Sequence, residues 1–378
     1  MSSLYFNNAF AKKPLAEALE AMRPFWGEQF ENPLTESDGA QAARDVLQES
    51  RRRVASLLFA EPPEIYFTSS GTEANNWALK GACWSRKRNH LVISAIEHFS
   101  VYQTAEYLRR QGCGLTIVPV NQAGVLDVGR LAEAIRPSTA LVSVQAASDE
   151  IGVIQNFPAI AALKHQFPDV LFHTDAIQFL CYENLDLRTI PFDLVSLSSN
   201  AIYGPPGIAA LYIRKNTRLA PLLHGGMQEE GLRPGLQSIA LTAGFGRAAE
   251  INLQRKERWK ANLLPLQQKL FEKFTGLGVE IAGSQLSRLA DNVQGIFDVD
   301  GEALLTLLLE KGIRASSGST CYQYAQKQSH VLEALGISRD KARGAVLFTL
   351  GIEQTADDIQ LLEASVEETL RHLRRLKP

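Results

Sequence analysis

The chain of 378 residues is long enough for two domains and a sizeable core. Its 39 basic and 41 acidic residues give a formal net charge of -2, so no excess charge favours nucleic acid or an anionic membrane as a partner. Cys83, Cys113, Cys181 and Cys321 do not have the spacing of metal ligands, which argues against a zinc site and against a disulfide framework.

The ends and the hydropathy of the chain predict a cytoplasmic protein. The opening residues lack the basic region and apolar core of a secretory signal, and no run approaches the ~18 apolar residues of a membrane span. Two basic clusters, 51–53 and 371–377, lie in helical patterns, where we expect a solvated face.

Short apolar runs alternate with amphipathic stretches over the first two-thirds of the chain. The runs predicted as buried strands are 65–68, 91–94, 115–119, 140–145, 171–175, 194–198 and 208–212. Helices are predicted between most of them, at 72–84, 100–111, 128–135 and 158–164. This alternation predicts an α/β domain with a mostly parallel sheet, with ligands beyond the carboxyl ends of the strands.

The pattern changes after Gly235. A long charged helix is predicted at 239–274, followed by strand-like runs at 279–282 and 293–299 and by helices at 302–311 and 355–376. These elements predict a smaller α/β domain joined to the first through the long helix. The predicted division is a large domain of residues 15–255 and a small domain of residues 1–14 and 256–378.

Three segments at predicted strand ends carry polar residues suited to a site. Thr68-Ser-Ser-Gly-Thr-Glu-Ala-Asn-Asn76 opens a helix, whose N–H groups and dipole favour an anion such as phosphate. Ile96-Glu-His98 and Phe172-His-Thr-Asp175-Ala-Ile-Gln178 follow two other strands. From the residues alone, a simple helix cap, a structural histidine and a turn-capping carboxylate stay open as alternatives.

These segments resemble the cysteine desulfurases of the IscS/NifS type, in the class-V aminotransferase family of pyridoxal-phosphate (PLP) enzymes. The resemblance runs from Tyr5 to beyond Gly351, nearly the whole chain. It implies PLP fold type I, with a large domain around a mostly parallel sheet and a smaller C-terminal α/β domain. It also implies a homodimer with its sites near the interface.

The resemblance assigns a role in cofactor binding to each matching residue. In the family, the residue matching His98 stacks on the cofactor ring and handles protons, and the one matching Asp175 pairs with the pyridine nitrogen. The same comparison implies that Gln178 meets the ring hydroxyl and that Thr72 and Ser198 hold the phosphate.

Ala315-Ser-Ser-Gly-Ser-Thr-Cys321 resembles the catalytic-cysteine loop of these enzymes. There the thiolate attacks the sulfur of the substrate cysteine and carries it away as a persulfide. The resemblance therefore implies Cys321 as a catalytic residue beside His98. It also implies a sulfur donor or acceptor protein as a partner.

The departures from the family concentrate where the chemistry is expected. Ala201 stands at the position of the lysine that forms a Schiff base with PLP, and an alanine methyl cannot form an imine. Leu347 replaces the arginine that would bind the substrate carboxylate. The other replaced positions are Ser148, Asp149, Asn200, Leu236 and the segment Ala9-Phe-Ala-Lys12. An engineered lysine-to-alanine change would explain Ala201 and none of the others.

Three functions stay open at this point. The first is a desulfurase homologue with a degenerate site, which relays sulfur through Cys321 or acts as a binding partner, with PLP held non-covalently or absent. The second is a PLP-dependent desulfurase or lyase captured as a lysine-to-alanine variant. The third is a sensor that binds another anionic ligand in the vacated pocket. We predict no metal site, no nucleic-acid partner and no membrane association.

Overall fold

The computed structural model describes residues 4–85, 88–318 and 329–376, and its strands form one large sheet and two small ones. The strands are β1 (Leu4–Tyr5), β2 (Ile65–Thr68), β3 (His90–Ser94), β4 (Gly114–Val118), β5 (Thr139–Ser143), β6 (Leu171–Asp175), β7 (Leu194–Ser198), β8 (Ala209–Ile213), β9 (Glu280–Ile281), β10 (Asn292–Ile296), β11 (Ile313–Arg314) and β12 (Ala345–Thr349). The large sheet has the order β2-β8-β7-β6-β5-β3-β4.

The large sheet is mostly parallel, as predicted. Strands β3 to β7 run parallel to their neighbours within that set, and β8 is antiparallel to β2 and β7. Every residue of β5, β6, β7 and β8 is buried, which explains their continuous apolar runs. The edge strand β4 is partly exposed instead.

Helices cover the large sheet and connect it to the smaller layer. They are α1 (Ala16–Met22), α2 (Asp38–Ser56), α3 (Gly71–Ser85), α4 (Phe99–Arg110), α5 (Val128–Ala134), α6 (Phe157–Gln166), α7 (Ile239–Gly276), α8 (Gly301–Glu310), α9 (His330–Ala334), α10 (Arg339–Ala342) and α11 (Ala356–Leu376). Asp127, Asn156 and Ser238 begin α5, α6 and α7, because each side chain accepts a hydrogen bond from a backbone N–H of the first turn.

The 38-residue helix α7 connects two structural layers. It packs against α1 and α2 beside the large sheet and against β9, β10 and α11 farther along. Strands β9, β10 and β12 form the antiparallel sheet of the second layer, in the order β12-β10-β9. The domain boundary predicted at residue 255 falls inside this helix and stays a prediction.

The N-terminal segment, residues 4–12, is built into the second layer. Strand β1 pairs in parallel with β11, and Asn7 forms a bridge with Thr349. The Lys12 side chain is buried, and its Nζ lies 3.3 Å from Asp291 Oδ2. Burial opposes the charged form of Lys12, yet its neighbours raise its pKa above the ordinary value. Burial raises the pKa of the nearby Cys181 thiol, so this group is uncharged at neutral pH. The Asp291 carboxylate is therefore the neighbour that stabilises the charged form of Lys12.

The expectation of a solvated face is wrong for Arg51. This side chain is buried beneath the loop that follows β8, where its two terminal nitrogens lie 2.7 and 2.8 Å from the two carboxylate oxygens of Glu229. Bidentate pairing compensates for the loss of hydration of both charges. Its neighbour Arg52 is two-thirds exposed, so the expectation holds there.

No helix within residues 4–85, 88–318 and 329–376 combines the length and the apolar character needed to cross a membrane.

The ion pair of Lys12 predicts a large effect on stability. Replacing Lys12→Met leaves the Asp291 carboxylate buried without its partner, which we expect to lower the free energy of unfolding by about 3–5 kcal/mol. Urea titration of the variant measures this difference. The matched control is Lys13→Met, since Lys13 pairs with Glu353 in an exposed position and should change stability within about 0.5 kcal/mol. Equal effects of the two substitutions would contradict the prediction.

Candidate functional site

A cavity of about 290 Å³ opens at the carboxyl ends of the parallel strands, where a site is expected in this class of sheet. The predicted cofactor residues that line it are Thr72, His98, Asp175, Gln178 and Ser198. They come from α3, from the segment after β3, from the carboxyl ends of β6 and β7 and from the turn after β6, so the topology brings together residues that are far apart in sequence. Their individual roles stay predictions.

Ala201, another predicted site residue, is not part of this lining. Ala201 lies in the short 3₁₀ turn Asn200–Ile202 and is 2% exposed. The neighbouring Asn200 lines the cavity in its place and accepts a hydrogen bond from Ser198 Oγ at 2.6 Å. Cys321 lies outside the described residues.

The N-terminus of α3 approaches the cavity because Gly71 has no side chain. A Cβ atom at this position would lie 2.2 Å from Ile177 Cδ1, in the turn after β6. Thr72 follows it in the first turn of the 15-residue helix. Backbone N–H groups at such a terminus favour an anion.

A chain of hydrogen bonds connects Asp175 to His98. Asn75 Nδ2 donates to Asp175 Oδ2 at 2.7 Å and to Ser100 Oγ at 2.8 Å. His98 Nδ1 accepts from the Ser100 backbone N–H at 3.1 Å, so the neutral ring carries its proton on Nε2. Burial raises the pKa of Asp175, while His98 and Asn75 act in the opposite direction. A cationic nitrogen in the ring of a bound ligand would favour the ionised form of the Asp175 carboxylate.

Glu97 is a buried carboxyl group to which the sequence assigned no role. Its Oε1 accepts hydrogen bonds from Ser143 Oγ and from the Gln145 backbone N–H, while Oε2 has no partner in the structure. Burial raises the pKa of Glu97 to about 8, and the charge of Asp175 adds to this shift. Glu97 is therefore mostly neutral at pH 7.

Glu150 is a second such group and lies where the second layer closes the cavity. Its Oε2 accepts from Ser329 Oγ at 2.8 Å, and burial raises its pKa to about 8. His330, which follows Ser329 in the chain, also lines the cavity, and its Nε2 lies 2.9 Å from the Glu97 carbonyl oxygen. Glu97 occurs in the motif Ile96-Glu-His98, but the sequence gives no sign that either glutamate is buried.

Several positions that depart from the family do not line the cavity. Leu347 is fully buried in β12 and does not line the cavity, and Leu236 is 71% exposed. Lys12 is paired with Asp291 and is not part of the lining either. Among the residues that the structure describes, no lysine or arginine lines the cavity. The same residues contain no cluster of three or more His, Cys, Asp or Glu side chains able to hold a metal ion.

The donor set of the cavity fits PLP. The α3 terminus, opened by Gly71, suits a phosphate, and Asp175 suits a protonated ring nitrogen. An amine for covalent attachment is lacking at position 201. Ser198 must turn its hydroxyl from Asn200 toward a phosphate in order to donate to it.

Comparisons with known proteins show the family to which this fold and sequence belong. The family model for "Aminotransferase class-V" matches residues 4–362. The chain is 36% identical over 380 residues to "Cysteine desulfurase IscS" of Methanosarcina thermophila, with 100% of this chain and 94% of that protein covered. It is 33% identical to the protein of the same name from Dictyoglomus turgidum, with 99% and 96% covered.

Two solved structures are similar to this chain over nearly its whole length. A "NIFS-LIKE PROTEIN" superposes with a TM-score of 0.92 at 31% identity, covering 98% of this chain and all of that chain. The structure described as "SspA in complex with cysteine" superposes with a TM-score of 0.83, also at 31% identity, covering 93% and 100%.

The buried Glu150 predicts a pH-dependent stability. Its pKa of about 8 in the folded protein exceeds the ordinary value of 4.5, so the folded chain keeps a proton that the unfolded chain loses as pH rises. The contribution of Glu150 to the stability of the protein is therefore fully present below about pH 4.5 and is lost as pH rises toward 8. We expect Glu150→Gln, which cannot ionise, to lose less stability between pH 5 and 8 than the unmodified protein.

Thermal unfolding at a series of pH values measures this effect. The exposed residue Glu310 provides the control, since Glu310→Gln should leave the pH profile unchanged. If Glu150→Gln and the unmodified protein lose stability in parallel across this window, Glu150 does not hold a proton in the folded state.

Proposed function

Because the chain belongs to the class-V aminotransferase family, among the cysteine desulfurase homologues, we propose that it relays sulfur through a degenerate site. In this proposal PLP is held non-covalently or is absent, and Cys321 accepts a persulfide from another protein. The observation that carries the proposal is the lining of the cavity. It keeps the groups that suit a ring and a phosphate, yet its described residues include no lysine or arginine.

Several residues would hold PLP if it binds. Thr72 and Ser198 would contact its phosphate, His98 would stack on its ring, Gln178 would meet its hydroxyl and Asp175 would pair with its nitrogen. When bound, the group supplies an electron sink for a carbanion. Without an amine at position 201, the chain lacks the base that would move the α-proton of an amino acid.

The loss of a cation also weakens the binding of an amino acid substrate. A bidentate arginine–carboxylate contact is worth roughly 1.5–3 kcal/mol, or about ten- to a hundredfold in affinity. Leu347 offers no such contact, and burial of the substrate carboxylate where the described lining has no lysine or arginine adds a desolvation cost. Release of sulfur from free cysteine is therefore disfavoured at two steps.

The relay itself needs only a thiolate and a persulfide donor. The Cys321 thiolate would attack the terminal sulfur of a donor persulfide, forming a Cys321 persulfide and releasing the donor thiolate. The terminal sulfur keeps its oxidation state, so no further oxidant is required. An acceptor thiolate would remove the sulfur by the same exchange.

The state of the cofactor provides one test. We expect the purified protein to lack the visible absorbance of covalently bound PLP. We expect Ala201→Lys to gain a covalent adduct that borohydride fixes, detected by mass spectrometry, since the variant supplies the missing amine. Its release of sulfide from cysteine should stay at least about tenfold below that of an intact relative, because the substrate contact at Leu347 is still lacking.

Full sulfide release by Ala201→Lys would favour the second alternative, a desulfurase captured as a lysine variant. The joint placement of Thr72, His98, Asp175, Gln178 and Ser198 is the observation in its favour. The third alternative, an anion sensor, has less support, since it rests on the α3 terminus and its neighbouring hydroxyls, which the first two alternatives also use.

Transfer of a persulfide provides the second test. Incubation with a desulfurase that carries ³⁵S persulfide should label this protein, and Cys321→Ser should abolish the label. The control is Cys181→Ser, because Cys181 is completely buried and its loss should leave the labelling unchanged. Equal labelling of Cys321→Ser and the unmodified protein would refute the relay, whatever the state of PLP.

A further inference from the structure

Two thiols that are 30 residues apart in sequence lie together at the surface of the fold. Cys83 is in the last turn of α3, and Cys113 directly precedes the edge strand β4. Their sulfur atoms are 3.7 Å apart, and both residues are free and partly exposed. This pair lies at the opposite end of α3 from Thr72 and is independent of the cavity and of the function proposed above.

Ordered backbone on both sides fixes the position of the two sulfurs. The Cys113 backbone N–H donates to the Leu108 carbonyl at 3.0 Å, and Gly114 donates to Asn89 at 2.6 Å. Both cysteines pack against the apolar cluster that contains Leu108. A disulfide has an S–S length of about 2.05 Å, so the sulfurs need to approach by only about 1.7 Å. Rotation of two partly exposed side chains can provide such a movement.

The two thiols differ in their acidity. Either sulfur can donate the hydrogen bond between the two thiols, so the pair titrates as a unit and the first thiolate is stabilised by the remaining thiol. Cys83 lies in the last turn of α3, where the helix dipole disfavours an anion, so the first proton leaves from Cys113. Since the thiolate is the reactive form, Cys113 is the nucleophile and Cys83 the resolving thiol.

We propose that Cys83 and Cys113 form a dithiol site that reduces small disulfides and closes into an intramolecular disulfide. The Cys113 thiolate attacks one sulfur of R–S–S–R, forms a mixed disulfide and releases the first thiolate. Cys83 then attacks the Cys113 sulfur, closes the Cys83–Cys113 bond and releases the second thiolate, while its proton passes to solvent. The dithiol loses two electrons, and the small disulfide is reduced to two thiols.

Oxidised glutathione is the probe, applied to the full-length protein, and tryptic peptides give the readout. Trypsin separates the two cysteines into peptides 81–86 and 111–130. We expect these peptides to be joined in the treated protein and to separate again after reduction. We expect Cys83→Ser to keep one glutathione on Cys113, because the resolving thiol is missing. Cys113→Ser should react at Cys83 at least about tenfold more slowly.

Other cysteines provide the internal controls. Cys181 is fully buried and should stay unmodified, and any reaction of Cys321 appears on a different peptide. Glutathione on both Cys83 and Cys113 without a cross-link would overturn the proposal, and so would the absence of any modification at either residue. The result for the unmodified protein decides between these outcomes even if a serine variant fails to fold.

Discussion

The cavity depends on one constraint, the parallel alignment of β3, β5, β6 and β7, which places the carboxyl ends of these strands at a single edge of the sheet. Each strand delivers polar residues to this edge. The first turn of α3 can approach the same edge because Gly71 has no side chain. A shift of one residue in any of these strands would turn its polar segment toward the opposite face.

The meeting of these strand ends at one edge also determines the distribution of charge in the cavity. Glu97, Glu150 and Asp175 are buried around one cavity, and no lysine or arginine of the described lining offsets them. Burial raises the pKa of Glu97 and of Glu150 to about 8, so these two groups are mostly protonated at pH 7 and the cavity is more neutral than its composition suggests. A ligand with a cationic ring nitrogen would find a partner in Asp175, whereas a free amino acid carboxylate would find no lysine or arginine in the described lining.

The elements with strong hydrophobic patterns were predictable from the sequence, and the pairings between distant residues were not. The strands Leu171–Asp175 and Leu194–Ser198 were predicted with the correct bounds, because each is a short apolar run. Local patterns do not reveal that Arg51 meets Glu229, that Lys12 is buried against Asp291, or that Cys83 approaches Cys113. Each of these contacts depends on how whole elements pack, which also explains why the burial of Glu150 was not foreseen.

The integration of residues 4–12 into the second layer has a consequence for biosynthesis. These residues pair with Asp291, with β11 and with Thr349, so their partners are translated roughly 280 to 340 residues later. At about 5–20 residues per second, the first segment waits between about 15 and 70 s for them. During this interval the ammonium of Lys12 keeps its water shell. The nascent large sheet must then exist without the segment that later closes one wall of its cavity.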